Sequence, residues 1–271
     1  MDKKHLSFDK ILGFEIVSSL QERLLDFVRS QVREGQHLFI VTLNPEFVIA
    51  SKNDADFLKT IHKADLVIPD GVGLVWAGEV LKERGVLRKI LKGFRVGMAV
   101  LSGNHKRQVI AGVELMESLC RLAAKNGWSV YLLGAGPGIA QKTLAVLKVR
   151  YPGLRGWAAH GPKLKRQNSK FKTQNCWIKD INQKKPNFLF VALGMKKQEQ
   201  FIRQNWSVLK VNLAIGVGGA FDQIATPSLK PPGGLQRIGL GWLYRLLRQP
   251  RRWRRQLTLL KFIWLVLRED E

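Results

Sequence analysis

WSVYLLGAGPGIAQKTLAVLKVR, residues 128–150, sets the reading of the whole chain. It begins as a short apolar run, bends at Gly134, Gly136 and Gly138, and continues with helical spacing. That order, strand to glycine turn to helix, is half of a βαβ unit. The plan recurs on either side. HLFIVTLN (37–44) is a strand that enters a turn at Asn44-Pro45, with a helix following to about His62. DLVIPDG (65–71) is a second strand and stops on Asp70-Gly71. NFLFVALG (187–194) and NLAIGVGG (212–219) are apolar throughout and close on glycine. Strands with no polar face are covered on both sides. The expected fold is therefore α/β: a mainly parallel, Rossmann-like sheet with helices on both faces.

In such sheets ligands bind outside the carboxyl ends of the strands. The residues to read are Thr42 and Asn44, Asp70, Gly134 and Gly136, Gly194 to Glu199, and Gly216 to Asp222. Each has a functional and a structural reading. The glycines from Gly134 to Gly138 suit a phosphate or nucleotide cradle at a helix N-terminus, or a tight turn. The full dinucleotide fingerprint is absent. Asp70 is a general base or the N-cap of the next helix. Thr42 and Asn44 line a pocket or serve turn chemistry. Gln198 meets phosphates and sugar hydroxyls, or opens a solvated helix. Gly216, Gly218 and Gly219 suggest close approach of the backbone to a ligand, and Asp222 accepts from it or sits at a helix start.

Elsewhere, residues 15–34, 74–84 and 107–126 carry helical spacing. Residues 85–106, with glycines and basic residues, read as an inserted loop or flap, and 226–241, rich in Pro and Gly, as a hinge. The expected organisation is a core over 1–225 and a basic amphipathic helical appendage over 226–271.

Charge separates these two parts. The chain holds 45 Lys and Arg against 21 Asp and Glu, a net charge of +24, and no acid lies between Gln223 and Arg268. Such a balance calls for an anionic partner. Three readings of the Trp- and Arg-rich tail compete: a membrane interface, nucleic acid, or arginines folded over a diphosphate. The apolar continuation TLLKFIWLVL favours lipid, and no nucleic-acid partner is expected. Leu257 to Leu267 is too short to cross a bilayer, which needs about 20 apolar residues. The opening MDKKHLSFDKILGFEI has no signal-peptide pattern, and Cys120 and Cys176 form no pairing motif. The five histidines lack ligand spacing, so no metal is expected. A cytoplasmic protein, peripheral on the inner membrane face, fits these features.

Eight ordered blocks then resemble the WecG/TagA/CpsF glycosyltransferase family: TLNPEFV (42–48), ADLVIPDGVGLVWA (64–77), AGVELM (111–116), YLLGAGPGIA (131–140), YPGL (151–154), VALGMKKQE (191–199), IGVGGAFD (215–222) and WLYRLLRQPRRWRR (242–255). The resemblance implies an inverting, metal-independent transfer from UDP-N-acetylmannosamine, or its uronic acid, to N-acetylglucosamine on undecaprenyl diphosphate, with no cofactor. It implies Asp70 as base, with Thr42, Asn44 and Gln198 lining the donor pocket. It implies that Arg245, Arg252 and Arg255 close over the site and offset charge on the departing UDP. Homo-oligomers are compatible with it. Lys196 stands where the family has Pro, Gly241 where it has Glu, and Val109 where it has Arg, with Arg107 nearby. A catalytically inactive membrane- or nucleic-acid-binding protein on the same fold is the rival reading.

Overall fold

The computed structural model describes residues 3–102, 111–161, 169–250 and 253–269. Its strands are β1 (Phe8–Ile11), β2 (Phe14–Val17), β3 (Leu38–Leu43), β4 (Leu66–Pro69), β5 (Ser129–Gly134), β6 (Arg155–Ala159), β7 (Phe188–Ala192) and β8 (Leu213–Gly216). β1 and β2 form an antiparallel hairpin, and β3 to β8 form one parallel sheet in the order β4-β3-β8-β7-β5-β6. The expected α/β sheet is therefore present.

The helices are α1 (Gln21–Arg33), α2 (Pro45–Lys52), α3 (Ala55–His62), α4 (Val72–Val80), α5 (Val86–Leu101), α6 (Gly112–Lys125), α7 (Ile139–Arg150), α8 (Ser169–Lys184), α9 (Lys197–Asn205), α10 (Ala220–Ala225), α11 (Gly233–Arg237), α12 (Gly241–Arg248) and α13 (Trp253–Arg268). Side chains alternate across a strand, so the sheet feeds two cores. Ile40, Ile68, Leu132, Phe190 and Ile215 face α1, α6, α7 and α10. Phe39, Val41, Leu133, Leu189 and Ala214 face the hairpin, α2, α3 and α9, where Phe262 and Val266 of α13 join them. Each fully buried Phe or Leu here contributes about 1.5–3 kcal/mol relative to exposure.

Several local readings change. Residues 15–34 are not one helix: β2 runs to Val17 and α1 starts only at Gln21. The single helix expected up to His62 is two, because the Asp54 carboxylate caps a new start by accepting from the Phe57 N–H at 2.9 Å. Residues 155–159 and 169–184, unassigned from sequence, are β6 and α8.

The supposed flap at 85–106 is largely helix α5. Gly93 lets that helix pack closely on α4. A Cβ there would lie 2.9 Å from the Trp76 ring, and the Trp76 Nε1–H donates to the Gly93 carbonyl at 3.0 Å. The segment 226–241, read as a hinge, is held at several points. Lys230 Nζ donates to Glu117 at 2.9 Å, the Tyr244 hydroxyl donates to the Ser228 carbonyl at 2.9 Å, and Gly239 packs against Val72 and Val100.

Candidate active site

α2, after β3, covers one face of the sheet, and α10, after β8, covers the other. Neighbouring strands whose helices leave on opposite faces open a crevice at their carboxyl ends. Thr42, buried on β3, closes the bottom of that crevice: its hydroxyl donates to the Gly216 carbonyl at 3.3 Å. Asn44 follows at the rim. Its side-chain oxygen accepts from the Phe47 N–H at 3.1 Å, which makes Asn44 the N-cap of α2 and fixes its orientation over the crevice.

Asp70 comes from the next strand. Its N–H donates to the Leu43 carbonyl at 2.7 Å, which extends the β3–β4 ladder by one residue and sets Asp70 beside Asn44. The N-cap reading fails, because Gly71 occupies the cap of α4. Asp70 reaches instead to another helix, where its Oδ1 accepts from the Gly112 N–H at the start of α6, at 2.9 Å. Among the described residues no donor meets Oδ2. One oxygen of Asp70 is thus fixed by main chain at the mouth of the crevice. Gly112 was the residue sequence reasoning missed, although AGVELM carried it in plain view.

Beneath the β8 turn lie two polar side chains. Gln198, buried on α9, donates through Nε2 to Glu199 Oε1 at 2.7 Å and accepts through Oε1 from the Gly218 N–H at 3.2 Å. It is therefore a scaffold for the turn, not a solvated helix start. Glu199 is wholly buried, and its Oε2 has no partner among the described residues. Burial pushes its carboxyl up to about 7, against which the Gln198 hydrogen bond pulls. The same pair accounts for Gly216, where a Cβ would lie 2.4 Å from Glu199 Oε1 and 2.6 Å from Gln198 Nε2.

Gly194 (φ 86°) and Gly218 (φ 51°) hold left-handed conformations with open space around them. Gly134 (φ 116°) faces the Ala192 carbonyl, and Gly136 opens the turn before α7. These glycines lie at or just after the ends of β5, β7 and β8, on the far side of the crevice from Asp70. Asp222 and Arg245 share an open cleft with Gly219 and Arg248, so the structure brings α12 to the end of β8. Arg252 and Arg107 lie outside the described residues, as does the side chain of Arg255.

Comparison with known proteins decides the class. The chain matches the Glycosyl transferase WecG/TagA/CpsF family over residues 10–95 and 90–270. It belongs to that family. The glycosyltransferase is 26% identical over 234 residues to the N-acetylglucosaminyldiphosphoundecaprenol N-acetyl-beta-D-mannosaminyltransferase of Bacillus subtilis strain 168, covering 86% of this chain and 80% of the relative. Proteins of the same name from Bacillus spizizenii W23 and Staphylococcus aureus NCTC 8325 are each 28% identical, over 256 and 241 residues. These cover 94% and 88% of the glycosyltransferase and 85% and 83% of the relatives.

Proposed function

We propose that this glycosyltransferase moves an N-acetylmannosamine-type sugar from a UDP donor to N-acetylglucosamine carried on a polyprenyl diphosphate, as a step in building a cell-surface polysaccharide or teichoic acid. The names of its relatives support the transferred sugar and the acceptor. The observation that carries the chemistry is the Asp70 carboxylate, held by the Gly112 N–H on one oxygen at the mouth of the crevice.

In this reading Asp70 Oδ2 accepts the acceptor hydroxyl's proton as that oxygen bonds to the anomeric carbon. The bond from that carbon to the diphosphate breaks on the opposite face, its electron pair leaves with UDP, and the configuration inverts. Thr42 and Asn44 shape the donor side of the crevice, and Gln198 sets the Gly218 turn against it. Arg245, with Arg252 and Arg255 further along the 226–271 appendage, offsets charge on the departing diphosphate, the task a metal ion would otherwise perform. The protein works on the cytoplasmic face of the membrane, where an anionic surface meets its basic end.

The test is Asp70→Asn, assayed for UDP release with a short-chain polyprenyl-diphosphate sugar in the presence of a chelator. Asn keeps an oxygen for the Gly112 N–H but cannot take the proton. The turnover number should fall about 10²–10⁴-fold with the unfolding midpoint unchanged. Undiminished turnover would remove Asp70 from the role of base, and wild-type activity lost to the chelator and restored by metal would end the metal-independent reading.

A further inference from the structure

An amphipathic helix on a protein surface ordinarily turns its apolar stripe inward. α5 does the reverse. At about 100° per residue, Leu87, Ile90, Leu91, Phe94, Met98 and Leu101 fall on one stripe, and every one of them is exposed, Leu87 by 72% and Phe94 by 71%. The opposite stripe, Lys89, Gly93 and Val100, is the buried one. Two contacts fix this rotation. Gly93 seats against the Trp76 ring, and the Lys89 ammonium donates to the main-chain carbonyl of Glu269, just beyond the end of α13. Lysine pointing in and leucine pointing out is an arrangement that folding alone would not favour, so the apolar stripe answers to something outside the chain.

Charge indicates what that is. α5 contains no Asp or Glu, and Arg88, Lys92 and Arg95 line one flank of the stripe, Lys92 also pairing with Glu83 at 3.5 Å. The neighbouring α13 has the same design. Phe262 and Val266 are buried, while Trp253, Leu257, Leu260 and Trp264 recur at helical spacing on the exposed side, with the Arg268 guanidinium 4.2 Å from the Trp264 ring. Among the described residues no helix is long and apolar enough to cross a membrane. An exposed aliphatic stripe with basic flanks and aromatic residues alongside suits the headgroup–acyl boundary of an anionic bilayer. Nucleic acid is poorly served by it, since Leu, Ile and Met offer no stacking surface.

We infer that α5 is a membrane-insertion element: its stripe from Leu87 to Leu101 enters the interface of an anionic bilayer while Arg88, Lys92 and Arg95 contact lipid phosphates. This rests on the proposed membrane location, and it moves the principal apolar contact from the tail to a helix of the core that follows the Asp70 loop and α4.

The experiment is flotation of the full-length protein with phosphatidylglycerol vesicles and with phosphatidylcholine vesicles, for wild type, for the α5 pair Leu91→Glu/Phe94→Glu, and for the α13 pair Leu260→Glu/Trp264→Glu, with sedimentation analysis of each. Both pairs replace exposed side chains, so unfolding midpoints should match wild type. Wild type should float with the anionic vesicles, and the α5 pair should weaken that binding at least about tenfold. It should also lower transfer to a vesicle-embedded acceptor while leaving transfer to a short-chain soluble acceptor intact. Undiminished flotation of the α5 pair, with loss confined to the α13 pair, would overturn the inference and leave the tail as anchor. No flotation of wild type would overturn the membrane location as well. A wild-type dimer that the α5 pair converts to monomer, with flotation unaffected, would assign the stripe to a second copy of the chain and also overturn it.

Discussion

The two glycine-rich strand ends, Gly134 to Gly138 after β5 and Gly216 to Gly219 after β8, are near twins on paper. The structure separates them by what a missing Cβ leaves room for. At Gly134 a Cβ would lie 2.4 Å from the Ala192 carbonyl oxygen, main chain of the adjacent strand, and φ is 116°. At Gly216 its nearest neighbours would be the side-chain ends of Glu199 and Gln198. One glycine lets the sheet close. The other makes space for a buried polar pair that holds a turn at the mouth of the crevice. A glycine cluster after a strand is thus not evidence of a ligand until the atoms beside it are known.

The largest effect should come from testing that contrast directly. Gly134→Ala combines left-handed strain with a collision against immovable backbone, so it should cost about 3–5 kcal/mol in denaturant unfolding. Gly216→Ala, where side chains can yield, should cost about 1–2 kcal/mol. Equal costs would erase the distinction. Next comes Glu199, whose folded-state carboxyl at about 7 lies above its ordinary 4.5. The folded protein therefore holds this proton more tightly than the unfolded chain does. That contribution is fully present below pH 4.5 and is lost as pH rises towards 7. The swing is about 3 kcal/mol, and Glu199→Gln should abolish it. A wild-type slope surviving in the variant would mean another group titrates there. Smallest in stability is Gly136→Ala, where a Cβ meets only the Ile139 side chain at an ordinary 3.6 Å. The unfolding free energy should move by less than about 0.5 kcal/mol, while KM for the UDP donor rises several-fold. Unaltered kinetics would reduce the β5 turn to a structural one.

Five of the six sheet strands, β3, β4, β5, β7 and β8, were legible because burial leaves unbroken apolar runs. The hairpin was not, because its turn places Leu12 at φ 51° before Gly13, where the sequence signal would be Asn or Asp. β6 was hidden for a different reason: RGWAA is a half-exposed edge strand with a charge at one end. α5 was mistaken for a loop because its glycines and basic residues are loop chemistry unless Trp76 and Glu269 are known to be waiting for them. In the site, Thr42, Asn44 and Asp70 could be nominated from their strand ends, and the sheet sets their order. What spacing could not convey was the partner of each: Gly112 for Asp70, Gly218 for Gln198, and Gln198 for Glu199.

The contact between Lys89 and Glu269 has a consequence for how freely this chain can vary. The lysine engages a main-chain oxygen, which every amino acid provides, so substitution at 269 leaves the tie in place. What the tie requires is the path of the backbone after α13; the Glu269 side chain serves separately, its carboxylate 3.9 Å from the Lys52 ammonium. α5 can therefore keep its unusual rotation through a change of side chain at 269, so long as the chain leaves α13 along the same course.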